Sequence, residues 1–426
     1  MNTETLVEPL SLWRHTALAE PQCVPYSGHS KTDTVIIGAG FTGLRAAVEL
    51  ASLGLKVVVL EQGNIGWGAS GRSGGQVNPI LRLQYDQIAA RTDPESAERF
   101  VKAVIGSADE VFSLIGKHQI DCQPVQKGWL QAAHCESAAA SLTALAEDWR
   151  LFGANIEVLD DKTLLARAGT SYYSMGLFHP NAGHLHPMSY VRGLAIAAMN
   201  ANAKVHTFSR VQALECRDGK WVVAVNGGEI RADTVLICTN GYTQGLNTAL
   251  DKSYLPFTPI QLATDVLPNE IFKQILPENT TIADTRRRIF YGRKTSDRRL
   301  IFGGLGKGVN HGDDYTRIRN EAQRIFPVLR NVAWEFQWGG NIAMTMDSLP
   351  HIHDLAPGLS AALGCNGRGV AMSTVIGRVL SEHVVNPGAT TDVPVMAVPR
   401  IAFSKLKSIV APLSLPFLGW LDGRDK

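Results

Sequence analysis

The sequence predicts a mixed α/β fold of two lobes, one built on a parallel sheet covered by helices and one on a mostly antiparallel sheet. Each lobe is assembled from discontinuous segments. Three observations lead there. A chain of 426 residues is too long for one ordinary core. Residues 33–61 set out a buried strand, a glycine-rich turn, a helix and a second buried strand. Similar α/β pieces return at 205–245 and 358–386, with strand-rich material between them.

The first unit, "DTVIIGAGFTGLRAAVELASLGLKVVVLEQ", gives strands at 35–37 and 56–60 around a helix at 42–53. Uninterrupted Val/Ile/Leu strands flanking a helix mean a parallel sheet buried on both faces. Gly54 falls where a helix C-terminus wants a left-handed residue. Helical spacing continues over 80–120, "KGWLQAAH" (127–134) reads as a strand, and "SAAASLTALAEDWRLFG" as a helix. "KWVVAVNGGEIRADTVLICTNGY" is a hairpin feeding a buried strand at 234–238. The division that follows has a lead-in along the surface (1–30) and a first lobe from 31–80, 150–250 and 340–390. The second lobe takes 81–149 and 251–339, and 391–426 is a tail.

Composition narrows the function. Lys plus Arg is 41 against 39 Asp plus Glu, so no electrostatic footprint for nucleic acid exists. Six cysteines form no CxxC pair, which argues against a zinc site or a disulfide framework. The N-terminus lacks a basic start followed by an apolar run, and no stretch of eighteen apolar residues occurs. A soluble cytoplasmic protein is expected.

"GAGFTG" puts Gly38, Gly40 and Gly43 in the GxGxxG frame between strand and helix, with Phe41 and Thr42 opening that helix. The first glycine permits the tight turn, the second admits a pyrophosphate, and the third lets helix and strand pack closely. Helix N–H groups and the positive dipole end then face the phosphates. Glu61, followed by Gln62, ends the second strand about 20 residues on, where a carboxylate binds a ribose hydroxyl and disfavours a 2′-phosphate. The nucleotide is therefore NAD or FAD.

Three later stretches favour an extended FAD. "GASGRSGGQV" (68–77) follows the ribose acid; alone it reads equally as a solvent loop. In "CTNGY", Thr239, Asn240 and Gly241 end a buried strand at the edge that ligands use, or else form a plain exit turn. In "GCNGRGVAMSTVIGRVLSE", Asn366, Gly367, Arg368, Gly369 and Val370 open a helix whose N–H groups suit an electron-rich ring edge.

On these stretches, together with "IDCQPVQKGWLQAAH", "AGHLHPMSYVRGLA", "RRLIFGG" and "WGGNIAMTMDSLPHI", the chain resembles the D-amino-acid-oxidase-type flavoproteins from about residue 10 to 420. Within that family it looks most like gamma-glutamylputrescine oxidases, with L-pipecolate and sarcosine oxidases more distant. The resemblance implies an FAD-binding, Rossmann-like lobe of the GR2 type and a substrate lobe, with the flavin ring at their boundary. It implies FAD contacts from the fingerprint and Glu61–Gln62, and from the loop residues Ala69, Ser70, Gly71, Arg72, Ser73, Gly74, Gly75 and Gln76. Val211, at the adenine, and Gly340 would add to these, as would the two later stretches. Some relatives tether FAD through a cysteine in the segment matching "GGNIAMTMDSLPH"; none stands there, so noncovalent FAD is expected.

The implied chemistry is hydride transfer from an amine carbon to flavin N5, giving an imine that water hydrolyses, with O2 reduced to H2O2. Electrons could instead pass to a quinone or carrier protein, and a non-catalytic nucleotide-binding module is the reading from another class. The amine must bind deprotonated. His184 and His186 in "GHLHP", placed on one strand face by alternation, are candidates for that task or for binding. Tyr291 and Arg293 share a strand face after "RRR" (286–288), where an arginine can clamp a carboxylate, and Trp338 is a candidate cavity wall. His351 and His353 have no spacing argument joining them to the first pair, so no metal site is expected. The apolar, Pro-broken tail suggests packing on the body or peripheral contact with the inner membrane.

Overall fold

The computed structural model describes residues 10–401 and 407–425, side chains of 402–411 excepted. Its first sheet has eight strands, six of them in the order His351–Ala356, Leu359–Leu363, Gly228–Ile237, Gly28–Ile37, Val57–Leu60 and Lys204–His206. The hairpin partners Lys220–Val225 and Val211–Arg217 extend it antiparallel from Gly228–Ile237. The centre is parallel, with Val35 opposite both Val58 and Val235, and Val57–Leu60 is buried throughout. Burial on both faces is why these strands carry no polar alternation. One covering helix, Phe41–Ser52, meets another, Gly369–Val385, at Gly377, where an added Cβ would lie 2.6 Å from the Arg45 stem and from the Thr42 carbonyl.

The second sheet has nine strands. Eight run in the order Trp334–Gly339, Leu255–Thr264, Leu300–Gly306, Phe290–Lys294, Thr281–Asp284, Trp129–Ala132, Gly176–His179 and Glu157–Leu159, and Ile342–Met344 pairs with the start of the second. All pairs are antiparallel except Thr281–Asp284 with Trp129–Ala132. A short ribbon of Gln76–Val77 and Gly183–His184 lies outside both sheets.

Three placements differ from the sequence-based division. Strands Glu157–Leu159 and Gly176–His179 fall within 150–250 yet belong to the second sheet. Helix Pro94–His118, within 81–149, is tied to the first lobe, because Glu110 pairs with Arg45 at 3.3 Å and with Arg378 at 3.2 Å. Local pattern reports a strand or an amphipathic helix but not its partner. The lead-in, in turn, does not merely follow the surface. Its helix Leu12–Thr16 buries Leu12 and Trp13, and the Trp13 indole donates to the Ser73 carbonyl at 2.8 Å.

The tail forms a helix, Lys407–Asp422, with Pro412 and Pro416 inside it, lying against Leu255–Thr264 and Leu300–Gly306. Leu415 is buried, whereas Leu413, Phe417 and Trp420 are exposed. Among the described residues no helix is long and apolar enough to cross a membrane.

Candidate functional site

A cavity of about 1100 Å³ runs from the fingerprint turn to the second sheet. Its nucleotide end is made by close packing. Gly38 has φ +107°, and a Cβ there would sit 2.9 Å from the Cys238 carbonyl; a Cβ on Gly43 would sit 2.1 Å from the Gly38 carbonyl. Gly43 thus brings helix against strand, and it stands behind the wall rather than in it. Gly40 caps the helix without a side chain, and the Phe41 N–H turns to the Ser70 hydroxyl at 3.0 Å. The Glu61 carboxylate accepts the Ala39 and Gly63 amides, both at 2.9 Å. Burial raises its pKa against the pull of those amides. A carboxylate has about four acceptor positions, so capacity remains toward the cavity that Glu61 lines.

The loop 68–76 forms the long wall. Two of its carbonyls are taken by side chains from elsewhere: Arg72 O by Gln261 Nε2 at 2.7 Å and Trp338 Nε1 at 3.1 Å, and Gly74 O by Arg293 Nε at 2.7 Å. Ala69, Ser70, Arg72, Ser73, Gly74, Gly75 and Gln76 all line the cavity. Gly71 does not; a Cβ there would meet the Gly66 carbonyl at 2.3 Å. The Arg72 guanidinium lies over the Trp67 ring at 4.8 Å, with Nη2 buried and unpartnered, and Gln261 Oε1 is likewise an orphan. Unsatisfied buried polar atoms on a cavity wall call for a polar ligand.

Thr239, Asn240, Asn366, Gly367, Arg368, Gly369 and Val370 close the opposite side, with Gln62, Val211 and Gly340 also lining; Gly241 instead backs onto the Asn341 carbonyl. Asn240 holds this side together, its Oδ1 accepting the Gly364 amide at 3.1 Å. Helix Gly369–Val385 begins without a side-chain cap, so its positive end is open at the wall.

Among the five substrate-cavity candidates, Tyr291 alone lines the cavity. Burial raises its hydroxyl pKa. Arg293 turns away: it donates to Gly74 O, to Leu185 O at 2.8 Å and to Lys294 O at 2.9 Å, and lies over the Trp13 ring at 4.6 Å. Burial lowers its pKa to about 9. Trp338 is buried, holding the Arg72 carbonyl, and does not wall the cavity. His184 and His186 do not share a strand face. His184 pairs with Gln76 and contacts Arg293 Nη1 at 3.2 Å, while His186 caps helix Pro187–Asn200, its Nδ1 accepting the Ser189 amide at 3.1 Å. Burial, seconded by Arg293, drives the His186 pKa down to about 3 and that of His184 well below its ordinary value. Both rings are neutral and outside the cavity.

His351 and His353 are engaged separately, by Asp347 and by the Met396 carbonyl. Among the described residues one mixed group, His134, Cys135 and Asp425, has ligand atoms within 4.8 Å of one another, but Asp425 already pairs with Arg287.

Sequence reasoning named Arg287 only as part of the "RRR" triplet and passed over Arg82; both line the cavity. Arg82 donates to the Asp284, Thr285 and Arg286 carbonyls and so fixes the turn before Phe290–Lys294. In the "RRR" triplet, Arg286 pairs with Asp284 and Glu321, Arg288 with Asp314, and Arg287 faces the cavity rim. Alternation ahead of a strand is the signal: the middle residue points opposite to its neighbours.

A cavity of this length, beginning at a nucleotide fingerprint and ending on a separate sheet, is the arrangement of a flavin or nicotinamide oxidoreductase. The family model described as FAD dependent oxidoreductase matches residues 33–383, and the chain belongs to that family. A probable oxidoreductase, OrdL, of Haemophilus influenzae is 30% identical over 85% of each chain. The gamma-glutamylputrescine oxidoreductase of Escherichia coli is 28% identical over 82% of this chain and 83% of its own. In fold, the glycine oxidase of Geobacillus kaustophilus superposes with a TM-score of 0.75 over 87% of this chain and 99% of its own, at 20% identity.

Proposed function

We propose that this FAD-dependent oxidoreductase oxidises the C–N bond of an amine carrying a carboxylate remote from the reacting nitrogen, in the manner of gamma-glutamylputrescine, with O2 reduced to H2O2. The observation that carries the reading is the cation Arg287 on the rim of a cavity whose deeper wall holds Tyr291. Glu61 would take the ribose hydroxyls, and the uncapped helix starts at Phe41 and Gly369 would face the negative parts of FAD. FAD, when bound, supplies the hydride acceptor, and the imine product is hydrolysed by water. Noncovalent binding is supported by the two thiols that line the cavity, Cys238 and Cys365, both kept protonated by burial.

Among the described lining residues, Glu61 is the single carboxylic acid and histidine is absent. No base therefore stands at the Tyr291 end, and the amine enters already deprotonated. The expected kcat/KM rises with pH until the substrate amine has lost its proton; a profile falling with pH over that range would contradict this.

The deciding experiment is anaerobic titration of the FAD-loaded protein with amines, followed by admission of air and a peroxide assay. Bleaching by a carboxylate-bearing amine with peroxide on reoxidation supports the proposal, and absence of bleaching by every amine removes it. The exposed Leu413, Phe417 and Trp420 favour a second reading, in which reduced flavin passes its electrons to a membrane quinone. Slow reoxidation by O2 and fast reoxidation by a quinone in vesicles would select it.

A further inference from the structure

The tail helix delivers a carboxylate to Arg287, a residue of the cavity wall. Asp422 Oδ1 accepts the Arg287 backbone N–H at 2.9 Å, and its Oδ2 accepts the Arg288 N–H at 3.0 Å. The Arg287 guanidinium adds a third bond to Oδ1 at 3.1 Å. Two successive amides and a guanidinium around one carboxylate make an anion site of the backbone-nest kind. The Asp422 side chain is 5% exposed there, whereas that of Arg287 is 42% exposed and also lines the cavity.

The nest does not depend on Asp422 for its shape. Arg82 holds the Asp284, Thr285 and Arg286 carbonyls from one side. Asp284 Oδ1 accepts the Arg286 amide at 3.3 Å and the Phe290 amide at 3.0 Å from the other. The element that brings Asp422 is less suited to its place. It carries two internal prolines, each removing a helix hydrogen bond, and it ends on an acid at the negative pole of its dipole. A preformed anion site is thus filled by a carboxylate on a weakly supported helix.

We infer that the Arg287–Arg288 nest is the subsite for the substrate's remote carboxylate and that Asp422 is its internal occupant in the free enzyme. This rests on the carboxylate-bearing amine proposed above. Substrate carboxylate displaces Asp422, Arg287 exchanges Asp422 for it while keeping Asp425 at 2.5 Å, and the tail sets how strongly the enzyme prefers acidic amines. If Asp422 fills the nest nine-tenths of the time, it weakens apparent carboxylate binding about tenfold.

The test uses the full-length, FAD-loaded enzyme and anaerobic bleaching by γ-glutamylputrescine and by N-acetylputrescine, which lacks the carboxylate. The readout is the ratio of the two half-saturating concentrations. Asp422→Asn is expected to shift the ratio toward γ-glutamylputrescine by up to about tenfold, and Arg287→Gln to shift it the other way. An unchanged ratio in both variants, or one moved in the same direction by both, overturns the inference. Should Asp422→Asn lose its flavin, glutarate decides with the wild-type enzyme. Competition against γ-glutamylputrescine alone supports the subsite, and equal competition against both amines, or against neither, overturns it. Failure of both amines to bleach the wild-type flavin, extended to every carboxylate-bearing amine tried, overturns the functional proposal instead.

Discussion

Replacing Arg293 by Met separates two roles for this arginine. A substrate clamp would leave the fold intact and raise KM for carboxylate-bearing amines. The observed contacts instead make Arg293 a strut, its guanidinium serving the Gly74, Leu185 and Lys294 carbonyls while lying on Trp13. Met fills similar volume but strands those acceptors in a buried place. Each buried carbonyl left without its donor costs about 1–3 kcal/mol, and about 3–5 kcal/mol is expected for the three together. Unfolding entropy of roughly 2.1 cal/mol/K per residue gives about 0.9 kcal/mol/K for 426 residues, so Tm should fall by about 3–6 °C. Flavin retention should fall with it, because Gly74 belongs to the cavity wall. Thermal melts of FAD-free and FAD-loaded protein, with flavin content after gel filtration, measure both. An unchanged Tm together with a raised KM confined to carboxylate-bearing amines would refute the reasoning and restore Arg293 as a substrate ligand.

Gly43→Ala drives a Cβ to 2.1 Å from the Gly38 carbonyl. Helix and strand must part, at about 1–3 kcal/mol, and the purified variant should be low in FAD; full FAD content at normal Tm would contradict this. The buried rings of His179, His184 and His186 have depressed pKa values, about 3 for the first and last. Unfolded histidine protonates near pH 6.5 while these stay neutral, so stability is complete above about pH 6.5 and declines below it, by up to about 1.4 kcal/mol per pH unit for each ring. Melting points at pH 7.5, 6.5 and 5.5 should show the fall, and His186→Asn, which keeps a capping oxygen, should flatten it. A flat profile between pH 7 and 5 would count against neutral burial.

What was legible in the sequence is what one segment decides alone. Gly38 and Gly43 can be read from spacing because the turn and the helix contact they permit lie within six residues of each other. The antiparallel character of the second sheet is legible from alternation and turns. Its assembly is not, since Trp129–Ala132 lies parallel to Thr281–Asp284, a partner about 150 residues away that leaves no local trace. The side-chain roles failed for a related reason. Alternation correctly pairs Tyr291 with Arg293, but one long side chain reaches past the cavity to the ribbon at His184, and no pattern encodes that reach. His186 was misread because a helix begins immediately after it, and Pro187 at the first helical position was the available signal.

The loop 68–76 shows how residues distant in sequence shape a cavity wall from flexible backbone. Trp13, Gln261, Trp338 and Arg293 together donate to the carbonyls of Arg72, Ser73 and Gly74. In a trans peptide the N–H points opposite to the C=O. Fixing three successive carbonyls therefore fixes the peptide planes of a segment whose residues line the cavity. Glycine is needed less for contact with the cofactor than for the docking behind it. A Cβ on Gly75, whose φ is +70°, would lie 2.2 Å from the Leu185 carbonyl, on the side away from the cavity. It follows that Gln261→Leu, which removes no charge and no fingerprint residue, should weaken FAD retention by leaving the Arg72 carbonyl to Trp338 alone. The effect should be about 1 kcal/mol, near fivefold in FAD dissociation constant. Unchanged FAD affinity in that variant would mean that the loop holds its shape without the second lobe.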